Sequence, residues 1–422
     1  MTSQHNQNEP NERGEGLHRR EVIKGAAAAG LVAATGTHPL VHAAASKAAR
    51  SDLIKRENAK PGTRDWLLTK TRTVPGKINK ILDNGRSQTI EGYCSANSVR
   101  AGETLKIMVS TKPASDFRLE IFRTGYYGGT GARLVKTFES LKGTPQPEPP
   151  VGDNYVRECQ WEPAVELEIP HEWFSGVYLG KLTAKKSGIQ SYVIFIVRDD
   201  RPCDLLFQCS DLTWSAYNRW PVDYSIYTEH KDWKSIGVPS GTVSFDRPYA
   251  LFTHPVNRIK TSGGSGEYLP WEFPLAFWLE QHGYDVSYIS NVDTHADPLG
   301  LLRTKGFISV GHDEYWSLEM YDNAIKARDA GAPKMDLPGM NVVAEGDALV
   351  NGEKVGHYTA TLYDGPKDNV VFNAATIWWA NGLSSPPGHV NPSRHGVTQQ
   401  GPDPRVQQIT HNLMRRIVAS QV

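Results

Sequence analysis

The chain has 422 residues, which is too long for one ordinary small domain, so its length predicts two domains. Hydrophobic residues make up 39% of the chain and charged residues 22%, as is typical of a soluble globular protein. The formal net charge is +0 at pH 7, so the charge balance gives no support to binding of nucleic acid or of an anionic membrane. No stretch is long and apolar enough to predict a membrane span.

The beginning of the chain resembles an export signal. Arg19 and Arg20 precede an apolar run of small residues from Gly25 to Val41, and Ala43-Ala44-Ala45 supplies a small-residue cleavage site. The alternative is a short amphipathic helix of the mature protein, but the run is rich in Gly and Ala and has no polar face. We therefore predict a twin-arginine signal over residues 1–45 and a periplasmic or secreted mature protein.

The next two segments differ in pattern. Residues 46–85 are charged and interrupted by Pro and Gly, which predicts an irregular N-terminal arm. Residues 86–199 contain short stretches of alternating apolar and polar residues, which predict an antiparallel β-sandwich of the Ig-like type. The predicted strands are 104–110, 117–122, 165–169, 176–182 and 191–197.

Residues 200–422 change to an α/β pattern after a polar junction at 198–202. Strands are predicted at 205–208, 284–289, 306–311, 341–344 and 370–372, and helices at 272–282, 317–330 and 404–418. This alternation predicts a mostly parallel sheet whose functional site lies at the carboxyl ends of its strands.

The densest polar cluster is Gly311-His312-Asp313-Glu314-Tyr315-Trp316-Ser317, which directly follows a predicted strand. His312 and Glu314 are two positions apart, so in an extended loop they point to the same side. An imidazole beside a carboxylate suits a metal ligand next to a general acid or base. The alternative is helix capping by Asp313 or Ser317, with Glu314 favourable near the positive end of the helix.

A second polar cluster, residues 211–218, follows another predicted strand and ends in Tyr217-Asn218. Its end and that of the strand before His312 can converge on one crevice of a parallel sheet. Phenolate oxygen binds a hard ferric ion well, so Tyr217 and the later Tyr227 are candidate ligands. The alternative for both tyrosines is packing in a pocket or in the core.

Two other sets of residues leave alternatives open. Asp293, His295 and Asp297 are either a second metal site or a solvated turn before Pro298. The four cysteines lack a C-x-x-C zinc pair, and in an exported protein they predict either disulfides or buried thiols. These are Cys94, Cys159, Cys203 and Cys209. Neither a G-x-S-x-G elbow nor a Cys/His nucleophile is evident.

Several motifs, in order, resemble the N,N-dimethylformamidase large-subunit family. They are residues 121–133, 212–218, 271–274, 282–288, 311–317 and 403–410, within a similarity that runs from about Thr89 to Ile417. The resemblance implies a glutamine-amidotransferase-like, flavodoxin-like arrangement for the α/β region. It also implies hydrolysis of a small N-substituted amide by an enzyme that works either as a homo-oligomer or with a small partner subunit.

The resemblance further implies a mononuclear Fe3+ site held by two tyrosines and one glutamate. By motif these are Tyr217, Tyr227 and Glu314, and Tyr224 competes with Tyr227 because the loop between the tyrosines differs in length. His312 resembles the histidine that assists proton transfer in the family.

The substrate pocket is predicted from aromatic residues and from one departure from the family pattern. Trp214, Trp316 and Trp378 would exclude water and select an apolar N-substituent. Glu345-Gly346-Asp347 stands where the family commonly has a Gly-Ala-Asn-like turn, which places an extra carboxylate, Glu345, near the predicted pocket. The alternative to an enzyme is an exported protein that binds a carbohydrate or another ligand on a degenerate amidotransferase-like scaffold.

Overall fold

The computed structural model describes residues 52–71, 87, 89–221, 242–250, 263–330, 341–350, 352–364, 369–391 and 401–419. All of them belong to the unit Ala45–Val422 and form a mixed α+β fold with both parallel and antiparallel sheets. The predicted export signal at 1–45 lies outside the described residues. Within the described ranges, no helix has the length and apolarity needed to cross a membrane.

Two sheets form the region that precedes residue 200. A three-stranded antiparallel sheet has the order β1-β3-β6, and a five-stranded sheet has the order β2-β8-β7-β4-β5. The strands are β1 (Ile90–Cys94), β2 (Ser98–Val99), β3 (Thr104–Thr111), β4 (Phe117–Thr124), β5 (Ala132–Leu141), β6 (Pro163–Glu168), β7 (Gly176–Ala184) and β8 (Gln190–Val197). All five predicted strands are present, whereas β1, β2 and β5 were not predicted.

The five-stranded sheet is apolar on both faces, because alternate residues of its strands enter two different hydrophobic clusters. Tyr178 packs with residues of the three-stranded sheet, such as Ile107. Its neighbour Leu179 packs with residues that follow position 200, such as Phe207 and Phe277. This sheet is therefore shared between the first and second halves of the described chain.

The parallel sheet contains β9 (Cys203–Cys209), β10 (Val286–Ser290) and β11 (Thr304–Ser309) in the order β10-β9-β11. Both pairings are parallel, so the carboxyl ends of β9 and β11 lie side by side at one edge. This arrangement confirms the sequence prediction for these three strands.

The strands predicted at 341–344 and 370–372 exist, but they do not extend the parallel sheet. They belong to β12 (Asn341–Val350), β13 (Glu353–Asp364) and β14 (Val370–Asn373), an antiparallel sheet in the order β12-β13-β14. Only two residues separate β12 from β13, whereas a parallel pair needs a crossover of about a dozen residues or more. The expectation of a mostly parallel sheet is wrong for this part of the chain.

The helices and the 3-10 turns complete the described structure. They are α1 (Leu53–Asn58), α2 (Asp211–Tyr217), α3 (Tyr268–Trp271), α4 (Phe273–Gln281), α5 (Asn291–Ala296), α6 (Leu318–Ala330) and α7 (Pro404–Ala419), with 3-10 turns at Tyr127–Gly129, Asp153–Tyr155, Gly300–Arg303 and Trp379–Gly382. The three predicted helices correspond to α4, α6 and α7. Gly283 follows α4 with φ of 71°, as expected for a glycine at a helix C-terminus.

The arm that was predicted to be irregular is more ordered than expected. It contains α1, and the side chain of Trp66 is 1% exposed in the main hydrophobic cluster. Lys181 on β7 donates to the carbonyl oxygens of Asp65 and Leu67, which fastens the arm to the five-stranded sheet.

A buried ion pair joins β4 to α4. Nη2 of Arg123 lies 2.8 Å from Oε1 of Glu280, and both side chains are 0% exposed. Asn58 and Tyr288 also donate to the Glu280 carboxylate, so both of its oxygens are hydrogen-bonded. Since a buried charge is tolerated only when it is paired, this network fixes α4 and α1 against the five-stranded sheet.

The four cysteines are all buried thiols, one of the two alternatives left open by the sequence.

Candidate functional site

The candidate site lies where β9 and β11 end. Tyr217 is the last residue of α2, which follows β9, and Glu314 lies in the loop after β11. The Tyr217 hydroxyl donates to Oε2 of Glu314 over 2.6 Å. The convergence of these two strand ends, predicted from sequence, is confirmed.

His312 joins the same carboxylate. Its Nε2 lies 3.0 Å from Oε2 of Glu314, and its ring lies 4.8 Å from the Tyr217 ring. The Glu314 side chain is 48% exposed, whereas His312 is 8% exposed as a residue. The site is thus an oxygen-rich centre that opens to solvent at Glu314 and is buried behind His312.

The backbone of the loop is held in place from two sides. Gly311 has φ of 63°, and a Cβ at this position would lie 2.6 Å from the carbonyl oxygen of Trp271. Oγ1 of Thr213 on α2 accepts hydrogen bonds from the backbone N–H groups of Glu314 and Tyr315. The loop therefore needs glycine at its turn and a hydroxyl beneath its backbone.

His312 and Glu314 lie on one side of the loop, as their spacing predicts, and Asp313 faces the other. Gln208, Asn291 and Ser309 all donate to the Asp313 carboxylate, so this residue anchors the loop to the sheet. The capping alternative holds for Ser317, whose Oγ accepts from the backbone N–H of Met320 in the first turn of α6. Asp313, the other candidate cap, bonds to the sheet instead.

Sequence reasoning missed a further member of the site, Glu267. Its Oε2 lies 2.9 Å from Nδ1 of His312, and its side chain is 0% exposed. Its other oxygen, Oε1, has no hydrogen-bond partner in the described part of the chain. The only signal in the sequence is the run Gly263-Gly264-Ser265-Gly266 before it, which indicates a tight turn but gives no role to the acid.

The pKa values of His312 and Glu267 are shifted by burial and by the carboxylates on both sides of the imidazole. Burial would lower the pKa of His312, but the hydrogen bond to Glu267 and the negative charges of Glu267 and Glu314 outweigh it, so the pKa is raised. Burial raises the pKa of Glu267, and its bond to His312 opposes that shift. Because Glu267 and His312 share a hydrogen bond, they titrate as one pair.

Aromatic side chains enclose the inner side of the site. The Trp271 ring lies 6.0 Å from the His312 ring and 4.8 Å from the Trp378 ring. The Tyr315 ring lies 6.2 Å from that of Tyr217. Of the predicted pocket residues, Trp378 is therefore connected to the site through Trp271.

The other predicted pocket residues lie in different surroundings. Trp214 is 2% exposed and donates from Nε1 to Glu272 within the core. Trp316 is partly buried and packs against Phe307 at 6.2 Å. Glu345 is exposed on β12, with Oε2 3.6 Å from Nε2 of His357. Tyr227, the predicted second tyrosine ligand, lies outside the described residues.

Asp293, His295 and Asp297, the other candidate metal site from the sequence, form contacts that stabilise the fold. Asp293 forms a capping box with Ser290 at the start of α5 and pairs with Arg198. His295 bonds to Ser317, and Asp297 lies 3.5 Å from Arg303. Across the described ranges, no group of three or more His, Cys, Asp or Glu side chains could hold a metal ion. The centre at Tyr217 and Glu314 is of a different kind because it includes a phenol oxygen.

Comparison with models of known protein families gives a match. A family model described as "N,N-dimethylformamidase beta subunit-like, C-terminal" matches residues 118–343, more than half of the chain. The matched range includes Tyr217, Glu267, His312 and Glu314. None of the curated proteins matches the chain. By the extent of this match, the chain belongs to the N,N-dimethylformamidase beta subunit-like family.

Proposed function

We propose that the protein is an iron-dependent amidohydrolase that cleaves the C–N bond of a small N-substituted amide. The observation that carries this proposal is the meeting of the Tyr217 hydroxyl and His312 Nε2 on a single oxygen of Glu314. Family membership supports the amide class of substrate.

The residues present fit an iron ion. A phenol oxygen and a carboxylate oxygen 2.6 Å apart are hard donors of the type that ferric iron prefers, and they lie at an edge that solvent reaches through Glu314. We propose Tyr217, Tyr227 and Glu314 as the ligands, whose three negative charges would balance Fe3+. When bound, the ion would supply Lewis-acid chemistry at the amide carbonyl or at the attacking water.

The chain's own residues would manage protons and water. In hydrolysis, water adds to the carbonyl carbon, the C–N bond breaks, and the amine leaves with a proton. Nδ1 of His312 is held by Glu267, so Nε2 is the nitrogen that can exchange that proton. Trp271 and Trp378 would keep bulk water from this nitrogen and contact an apolar N-substituent.

We extend the proposal to the architecture and the location of the protein. The two sheets of residues 86–199 support an Ig-like sandwich, and the parallel sheet with its helices supports an amidotransferase-like arrangement for residues 200–422. The Arg19-Arg20 signal supports twin-arginine export to the periplasm or beyond. A homo-oligomer and a complex with a small partner subunit are the two assemblies to test.

The proposal is tested by metal analysis together with variants. Protein purified from the periplasm should contain stoichiometric iron, show a tyrosinate-to-iron absorption band, and hydrolyse short-chain formamides or acetamides. Glu314→Ala should lose the iron and the activity. Glu319→Ala is the matched control, because Glu319 is also an exposed acid in this region, with a side chain 53% exposed on α6. Wild-type protein without a stoichiometric transition metal would end the proposal.

The same experiment separates the enzyme from a non-catalytic binding protein. A binding protein on this scaffold would retain a ligand on its aromatic side chains, with no turnover and no iron colour. An enzyme that depends on zinc or on a nucleophile would instead keep its activity when Tyr217 is replaced.

A further inference from the structure

We propose that Glu267 is a positioning residue that holds the His312 ring with Nδ1 turned inward and Nε2 turned towards Glu314. This inference rests on the proposed function for its kinetic consequence, but its structural part can be judged alone. It adds a residue, 45 positions before His312 in the chain, to a site otherwise built from the ends of two strands.

The geometry of the imidazole carries the inference. A carboxylate oxygen lies against each ring nitrogen, with Glu267 Oε2 2.9 Å from Nδ1 and Glu314 Oε2 3.0 Å from Nε2. We assign the proton of the inner contact to Nδ1, because a Glu267 carboxylate in its ionised form accepts hydrogen bonds and does not donate them. With Nδ1–H directed at Glu267, proton exchange with a substrate is left to Nε2, the nitrogen that faces the more exposed carboxylate.

The surroundings of Glu267 indicate a role other than stabilising the fold. Glu280, a fully buried acid of the same region, has hydrogen bonds to both oxygens from Arg123, Asn58 and Tyr288. Glu267 is equally buried, yet its Oε1 has no partner and no Lys or Arg pairs with it anywhere in the described ranges. A buried carboxyl oxygen without a partner costs stability, and Glu272 has one as well. What distinguishes Glu267 is that its other oxygen contacts His312, a side chain of the site.

The turn before α3 fixes the position of this carboxylate. Gly264 and Gly266 have φ of 90° and 58°, both in the left-handed region. A Cβ on Gly264 would lie 2.1 Å from the carbonyl oxygen of Tyr192, and one on Gly266 would lie 2.9 Å from the Trp214 ring. The turn therefore packs tightly against β8 and α2, so Glu267 has a rigid base from which to orient a ring.

The test compares Glu267→Ala with Glu267→Gln. In Glu267→Ala, we expect a crystal structure to show the His312 ring turned away from Glu314. We expect kcat to fall by about 10–100-fold, as for other groups that orient a functional histidine. KM should stay within about twofold, because substrate contacts are unchanged. Glu267→Gln retains an acceptor for Nδ1–H, so it should keep the ring in place and recover most of kcat.

The matched control is Glu272→Gln, another fully buried acid, five positions later, which bonds to Ser210 and Trp214 rather than to His312. It should leave both the His312 ring and kcat unchanged. An unmoved ring in Glu267→Ala, or a Glu267→Gln variant no better than Glu267→Ala, would overturn the positioning role. If the wild type hydrolyses no amide, the proposed function fails, while the two crystal structures still decide what Glu267 does.

Discussion

The Tyr217 hydroxyl and Oε2 of Glu314 are 2.6 Å apart although 97 positions separate the two residues in the chain. They meet because β9 and β11 are parallel neighbours, which brings the segments after both strands to one edge of the sheet. A short contact between an acid and a phenol at an accessible edge is the feature from which the functional predictions follow.

Replacement of Tyr217 by Phe keeps the ring and removes its oxygen. We expect loss of bound iron and of the visible absorption band, with hydrolysis reduced by more than about 100-fold, since even residues that only orient a metal ligand contribute about 10–100-fold. Metal analysis, absorption spectra and amide turnover would measure this. Tyr321→Phe, at a tyrosine 56% exposed on α6, should behave as wild type. Full iron content in Tyr217→Phe would contradict the ligand assignment.

Replacement of Thr213 by Val should weaken both the loop and the site. Thr213 is 0% exposed, and its Oγ1 is the shared acceptor for two backbone N–H groups of the loop. Leaving these groups without that acceptor should lower the free energy of unfolding by about 1–3 kcal/mol, measured by urea denaturation. Turnover should fall as well, because Glu314 is no longer held.

Thr304→Val is the control for Thr213→Val. Oγ1 of Thr304 also takes part in hydrogen bonds, with Asp204 and Gly306, but at the amino-terminal end of β11, opposite the end that carries the site. It should lose comparable stability yet retain the turnover of the folded protein. Equal turnover in the two variants would mean that the Thr213 hydroxyl stabilises the fold without shaping the site.

Replacement of Gly311 by Ala should destabilise the protein and displace His312. The left-handed backbone and the close approach to the Trp271 carbonyl leave no room for a Cβ. The expected cost is about 1–3 kcal/mol in the free energy of unfolding. Gly346→Ala on β12 is the control, because a Cβ there would meet nothing within 4 Å. A Gly311→Ala variant as stable and active as Gly346→Ala would show that the turn tolerates a side chain.

The stability of the protein should depend on pH through Glu272. Burial raises the pKa of this carboxyl from its ordinary 4.5 to about 8, although hydrogen bonds from Ser210 and Trp214 oppose the shift. A folded pKa above the unfolded one means that the native state holds the proton more tightly. The stabilisation is therefore complete below pH 4.5 and is lost as pH rises towards about 8.

Comparison of wild type with Glu272→Gln isolates this effect. Between about pH 5 and about pH 8, the free energy of unfolding of the wild type should fall relative to the variant by about 1.4 kcal/mol per pH unit, the value for one proton. Denaturant titrations across this range would measure it. Parallel curves for the two proteins would show that Glu272 does not retain its proton in the folded state.

Strands could be predicted from the sequence where buried and exposed residues alternate. Alternating residues in β6 and in the first half of β3 reflect one buried face and one exposed face, so the period of two is visible in the sequence there. The segment of β12 was recognised as a strand, but its partner was not. Asn351-Gly352, the two residues between β12 and β13, is a hairpin signal that would have predicted antiparallel pairing.

The site was predictable where its residues follow strands, and not elsewhere. Tyr217, His312 and Glu314 come after the neighbouring parallel strands β9 and β11, so the rule for parallel sheets brings them together. Glu267 follows a glycine-rich turn that packs against Tyr192 and Trp214, which are distant in sequence. Trp214 was predicted to line the pocket, but it bonds to the buried acid Glu272 in the core. The sequence alone does not distinguish an aromatic residue that lines a pocket from one that is buried in this way.

The apolar face of the five-stranded sheet that packs against Phe207 and Phe277 has a consequence for protein engineering. A fragment that begins near residue 200 would expose Phe277 and its neighbours to water, and a fragment that stops there would uncover Leu179 and Ile196. Each fragment would expose a large apolar surface to water and would therefore be prone to aggregate. Grafting the half that carries the candidate site onto another carrier would therefore require redesign of the α4 surface as well as a new linker.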